Sequence, residues 1–130
     1  MQLRITPAKL ISEVQVEFNT VFPFLKLEFF QNKPLQKDAL PLANKRIGDY
    51  QLKIADGEIE ITKEMKVNEL ERKFKDQFSL NVQVFRRSGR LWLQTTMTDG
   101  WTLEKQNEHG KELTPTPKIP AVKVDKNNVQ

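Results

Sequence analysis

Apolar residues recur along the chain in two periods, and the order of those periods occurs twice. Met1, Leu3 and Ile5 alternate with polar residues, Ile11, Val14 and Phe18 follow at helical spacing, and Leu25, Leu27 and Phe29 alternate again. Alternation marks a strand with one buried face, and spacings of three and four mark an amphipathic helix. Aligning Ile5-Thr6 with Ile61-Thr62 brings Ile11, Val14, Phe18 and Phe22 onto Val67, Leu70, Phe74 and Phe78. After a one-residue slip, Leu25, Leu27, Phe29 and Phe30 answer Leu80, Val82, Val84 and Phe85. Each copy, over 1–30 and 58–87, therefore reads as strand, helix, strand.

Turn and capping residues set the expected boundaries. Thr6-Pro7 predicts a helix from about Pro7 to Thr20, because threonine is a good N-cap and the missing N–H of proline costs nothing at the first helical position. Pro23 ends it, and Phe24 to Phe30 is a strand. The polar stretch Gln31 to Asp49, punctuated by Pro34, Pro41 and Gly48, reads as a long connection with one helical turn. Tyr50 to Ala55 alternates and meets Asp56-Gly57, a strong two-residue hairpin signal that would set Ile54 opposite Ile59 and Leu52 opposite Ile61. Val67 to Gln77 is the second helix. Leu80 to Arg87 and Arg90 to Thr96 form a hairpin about Ser88-Gly89, with Val84 opposite Leu93 and Phe85 opposite Trp92. A short helix from Trp101 to His109 follows, started by Thr102 and stopped by Gly110.

Two strand, helix, strand units predict an α+β domain of the ferredoxin-like sandwich type, built from the duplicated β-α-β unit with an extra hairpin strand and the short C-terminal helix. Hairpin, helix, hairpin over 50–96 alone would be a β-grasp-like core. The expected single domain covers 1–113. Residues 114–130 hold three prolines and few apolar residues, so they read as a disordered tail.

Composition narrows the chemistry. No apolar run nears the roughly 18 residues of a membrane span, no secretory pattern precedes the first strand, and a cytoplasmic location is expected. Without cysteine, disulfides, thiolate catalysis and the common structural zinc sites are excluded. The formal net charge is +4, and Lys118, Lys123 and Lys126 against Asp125 place half of it in the tail. The body is therefore near balance, and nucleic acid would need its charges segregated on one face.

Three places carry candidate chemistry. The lone histidine, His109, stands at a helix end where a cation suits the dipole, and no metal or cofactor set surrounds it in sequence. The carboxylates form no metal or hydrolase motif, and no glycine-rich phosphate loop is present, so an enzyme is not expected. The turn Thr95 to Trp101 offers Thr96, Thr98, Asp99 and Trp101 as a small-ligand site, hydroxyls over an indole, or simply as turn chemistry and an anchor. The sheet face turned from the helices should present Phe30, Phe85, Arg87, Arg90 and Trp92. Exposed aromatics with arginines fit a protein partner or a second copy first, and single-stranded nucleic acid second, unless the C-terminal helix folds across them.

The stretch from Val82 to Thr96, VQVFRRSGRLWLQTT, with Asp99, Trp101-Thr102-Leu103-Glu104 and Gln106-Asn107, resembles a small bacterial protein family that carries no assigned activity. The likeness covers Met65 to Gly110. It implies a small bacterial cytosolic protein and no particular function.

Overall fold

The structure, a computed structural model, describes residues 1–31, 40–51 and 53–115. Its strands are β1 (Gln2–Ile5), β2 (Leu25–Phe30), β3 (Gly57–Glu60), β4 (Asn81–Ser88) and β5 (Leu91–Gln94). Its helices are α1 (Ile11–Val21), the single turn α2 (Ile47–Tyr50), α3 (Val67–Phe78) and α4 (Leu103–Leu113), with a 3₁₀ turn at Thr96–Thr98. The predicted tail beyond Pro115, Pro34 and the pairing of Leu52 lie outside the described residues.

The α+β class holds, but the strands are distributed differently from one sandwich sheet. β1 pairs antiparallel with β3, Leu3 opposite Ile59, and β2 with β4, Leu27 opposite Val84. β5 then extends the second sheet, giving β1-β3 and β2-β4-β5. In a ferredoxin-like sheet β1 would lie between β3 and β4. Here β4 spends its edges on β2 over six register pairs and on β5, so first strand meets first strand and second meets second. Between the sheets and helices, Leu3, Ile5, Phe18, Leu27, Phe29, Ile59, Leu70, Phe74 and Val84 form one buried cluster.

The Asp56-Gly57 hairpin does not form, and with it goes the β-grasp-like core over 50–96. Tyr50 closes helix α2, and β3 takes β1 as its partner. Gly57 serves a different need: a Cβ there would stand 2.9 Å from the Phe78 ring, so glycine permits close approach rather than a turn. Gly110 likewise does not stop the last helix. It lies inside α4, where a Cβ would meet Phe24 at 2.9 Å and Arg86 at 3.1 Å.

Helix α1 starts four residues later than Thr6-Pro7 predicts. Residues 7–11 are used instead to bind α2 and the residues before it: Gly48 N–H donates to Pro7 C=O, Ile47 N–H to Lys9 C=O, and Ile11 N–H to Lys45 C=O. The same set recurs in the second half. Glu104 N–H donates to Lys63 C=O, Leu103 N–H to Met65 C=O, and Val67 N–H to Trp101 C=O. Every donor and acceptor has moved by the interval that separates Ile5 from Ile61. The caps match as well, with Glu13 accepting from Leu10 N–H and Glu69 from Lys66 N–H, both at 2.8 Å. Ile47 and Leu103, the first residues of α2 and α4, are both buried.

Candidate functional site

Strand β4 borders both places of interest in the second half, an aromatic face shared with β2 and β5 and a groove along one edge. Its hairpin with β5 turns about Gly89-Arg90, not Ser88-Gly89, because Gly89 takes φ +62° and the first loop position needs that conformation. The register therefore sets Arg87 opposite Trp92 and Phe85 opposite Gln94, and Arg86 opposite Leu93. Phe85, Arg87 and Trp92 still share a face. Lys26 joins them from β2, its ammonium 5.0 Å from the Trp92 ring centre and 5.6 Å from that of Phe85, and the Arg87 guanidinium lies 5.9 Å from Trp92. Glu28 holds Lys26 at 3.1 Å.

The other two residues expected on that face do not join the group, although alternation along β2 leaves Phe30 on the same face as Lys26. Phe30 is buried opposite Asn81, at the far end of β2, and Arg90 is exposed in the hairpin loop. Helix α4 does not cross this face. It packs on the side of Arg86, which shares its face with Leu25 and Leu27; Arg86 Nη1 donates to Gln106 Oε1 at 2.8 Å. Lys26 was legible as a reverse-face residue from the alternation of β2, but its position between two rings depends on the β2–β4–β5 order.

Within the turn, the residues divide between anchoring and lining a cavity. Gln106, fully buried, donates from Nε2 to both the carbonyl and the hydroxyl of Thr98 at 2.7 Å, which fixes the 3₁₀ turn onto α4. Trp101 is packed edge-on against His109, with centroids 5.6 Å apart, and lies under the Lys105 ammonium at 4.4 Å. His109 therefore serves α4, its Nδ1 lying 3.6 Å from Glu112. Thr96 and Asp99 instead line a groove.

That groove, about 550 Å³, runs between α3 and β4. Asn68, Glu71, Arg72, Lys75 and Asp76 form its helical wall, Leu80 to Gln83 its floor, and Thr96 and Asp99 its far side. Among the described residues none of its five charged side chains is in a salt bridge. Glu71 Oε2 accepts from Val84 N–H at 3.0 Å. Burial pushes the Glu71 carboxyl up to about 7, with the negative charge of Asp99 adding to the rise and the Val84 hydrogen bond opposing it. The sequence pattern missed Glu71, since one glutamate on a charged helix face carries no signal of burial.

Among the described residues no cluster of three or more His, Asp or Glu is arranged to hold a metal ion. No helix among them is long and apolar enough to cross a membrane. Compared with known proteins, the chain matches no family model, and no curated protein or solved structure matches it.

Proposed function

We propose that the chain is a non-catalytic binding domain that docks a protein partner on the sheet face carrying Lys26, Phe85, Arg87 and Trp92. The observation that carries this reading is the grouping of two aromatic rings and two cations on a face that α4 leaves alone. Such a patch suits a partner presenting carboxylates beside apolar side chains, because aromatics and arginine supply most of the energy at protein interfaces. Nucleic acid ranks second for a geometric reason. Lys26 and Arg87 already lie against the rings, so a base would have to displace cations held by cation–π attraction before stacking. The non-catalytic part of the reading rests on Glu71, whose one hydrogen bond among the described residues is from the Val84 backbone N–H, with no nucleophile bonded to it.

Acrylamide quenching of Trp92 fluorescence in a Trp101→Phe variant tests it. Strong quenching in a chain that light scattering finds monomeric is expected, and weak quenching in that monomer removes the docking face. With a partner in hand, affinity should fall only a few-fold between about 50 and 200 mM salt, as its carboxylates are screened, whereas phosphate binding would fall by orders of magnitude.

A further inference from the structure

The residues that seal a strand edge in the first half are replaced in the second. On β2 the carbonyls pointing away from β4 are all taken: Asn19 Nδ2 donates to Leu25 C=O at 2.8 Å, Gln15 Nε2 to Leu27 C=O at 2.7 Å, and Leu42 N–H to Phe29 C=O at 2.7 Å. On β4 the counterpart of Phe29 is Val84, whose carbonyl accepts from the Thr95 hydroxyl at 2.9 Å and whose N–H goes to Glu71. Val82 is the counterpart of Leu27. Glu71 occupies the place of Gln15 but, as a carboxylate, donates nothing, and Lys75 occupies the place of Asn19 and makes no hydrogen bond to the strand among the described residues.

Alternation fixes where the Val82 groups point. Arg87 N–H donates to Phe24 C=O on the β2 side, and Val84 bonds to Glu71 and Thr95 on the other, so Val82 N–H and C=O face the groove. β5 would cover them if it continued, but the chain leaves the sheet at Thr95 and enters the 3₁₀ turn. Among the described residues the result is an unpaired donor and acceptor, two residues from a carboxylate that stands in for a neighbouring strand at Val84. An exposed strand edge of this kind is a template for another backbone.

We propose that this groove binds an extended peptide segment, which adds as a strand to the open edge of β4 at Val82. The peptide N–H supplies Val82 C=O with what Gln15 supplies to Leu27, and its C=O accepts from Val82 N–H. A side chain of the peptide sits over Leu80 and Val82, and its flanking residues meet Arg72 and Lys75 on one wall and Glu71, Asp76 and Asp99 around them. The inference is independent of the sheet-face reading, because it uses the edge of β4 rather than the face of Phe85 and Trp92.

The test is an NMR titration of the full chain with a blocked peptide, acetyl-Val-Lys-Val-Glu-Val-amide, to millimolar concentration. Saturable shifts of the Val82 and Val84 amides are expected, weakened at least tenfold when the central peptide nitrogens are methylated. Glu71→Gln with Lys75→Asn, which transfers the sealing residues of the first half, should weaken binding at least as much. No shift at Val82, or equal shifts with the methylated peptide, overturns the proposal without needing any variant to fold. Shifts confined to Phe85, Arg87 and Trp92 would also overturn it and would favour the sheet face instead.

Discussion

The two halves share their caps, their helix-to-loop hydrogen bonds and their buried positions, and differ in how each treats the outer edge of its second strand. In the first half Gln15 and Asn19 fasten α1 to β2 by hydrogen bonds to the carbonyls of Leu27 and Leu25. In the second, Glu71 makes one bond to β4 and the neighbouring wall is charged, which leaves a groove. The lesson is that two segments with the same backbone hydrogen bonds and buried positions can still differ at a strand edge. What both halves keep is what holds the chain together, and what only the second half has, β5, the 3₁₀ turn and Glu71, is where recognition is to be sought.

The largest expected effect tests the shared part. Phe18 and Phe74 are matched and wholly buried, so Phe18→Ala and Phe74→Ala should each cost about 3–5 kcal/mol in urea unfolding. A loss confined to one of them would mean that the halves are not equivalent supports. A smaller effect separates the halves. Gln106, buried and bonded to Thr98 and Arg86, matches Tyr50, whose hydroxyl donates to Ala43 C=O at an exposed site. Gln106→Ala should cost about 2–4 kcal/mol and Tyr50→Phe under about 1 kcal/mol, since only the first strands buried polar groups.

The smallest effect concerns Glu71 and depends on pH. Its folded-state value of about 7 lies above the ordinary 4.5, so the folded chain holds the proton more tightly than the unfolded one. The associated stability is fully present below about pH 4.5 and is lost as the pH rises through about 7. Glu71→Gln removes the titrating group beside Asp99, Arg72, Lys75 and Asp76 while keeping an acceptor for Val84. It should therefore gain about 1–2 kcal/mol relative to the parent on going from pH 5 to pH 8. Parallel pH profiles for parent and variant would show that the buried carboxyl is not what the groove is built around.

The helical stripes Ile11, Val14, Phe18 and Val67, Leu70, Phe74 were legible because periodicity reports burial directly. So were the core positions of β1, β2 and β4. Strand partners were not, since alternation gives a face and says nothing about a neighbour; Tyr50 to Ala55 alternates, yet Tyr50 ends a helical turn because residues 7–9 hold α2 by backbone hydrogen bonds. Gly57 and Gly110 misled as turn and stop signals, because glycine also marks close approach, here to Phe78 and to Phe24. Of the candidate sites, Phe85, Arg87 and Trp92 were legible as one face, and Thr96 and Asp99 as a turn. The open edge at Val82 was not, because it arises from what Glu71 and Lys75 fail to do where Gln15 and Asn19 succeed, and that contrast needs the hydrogen bonds of both halves.

Amide hydrogen exchange at Val82 and Val84 tests the difference between the halves most directly. Both residues lie in β4 with their N–H groups on the same edge, one facing the groove and the other bonded to Glu71. The account predicts that Val82 exchanges at least tenfold faster than Val84 under native conditions. Equal protection at the two positions would mean that the edge is closed, and the contrast between the halves would be lost.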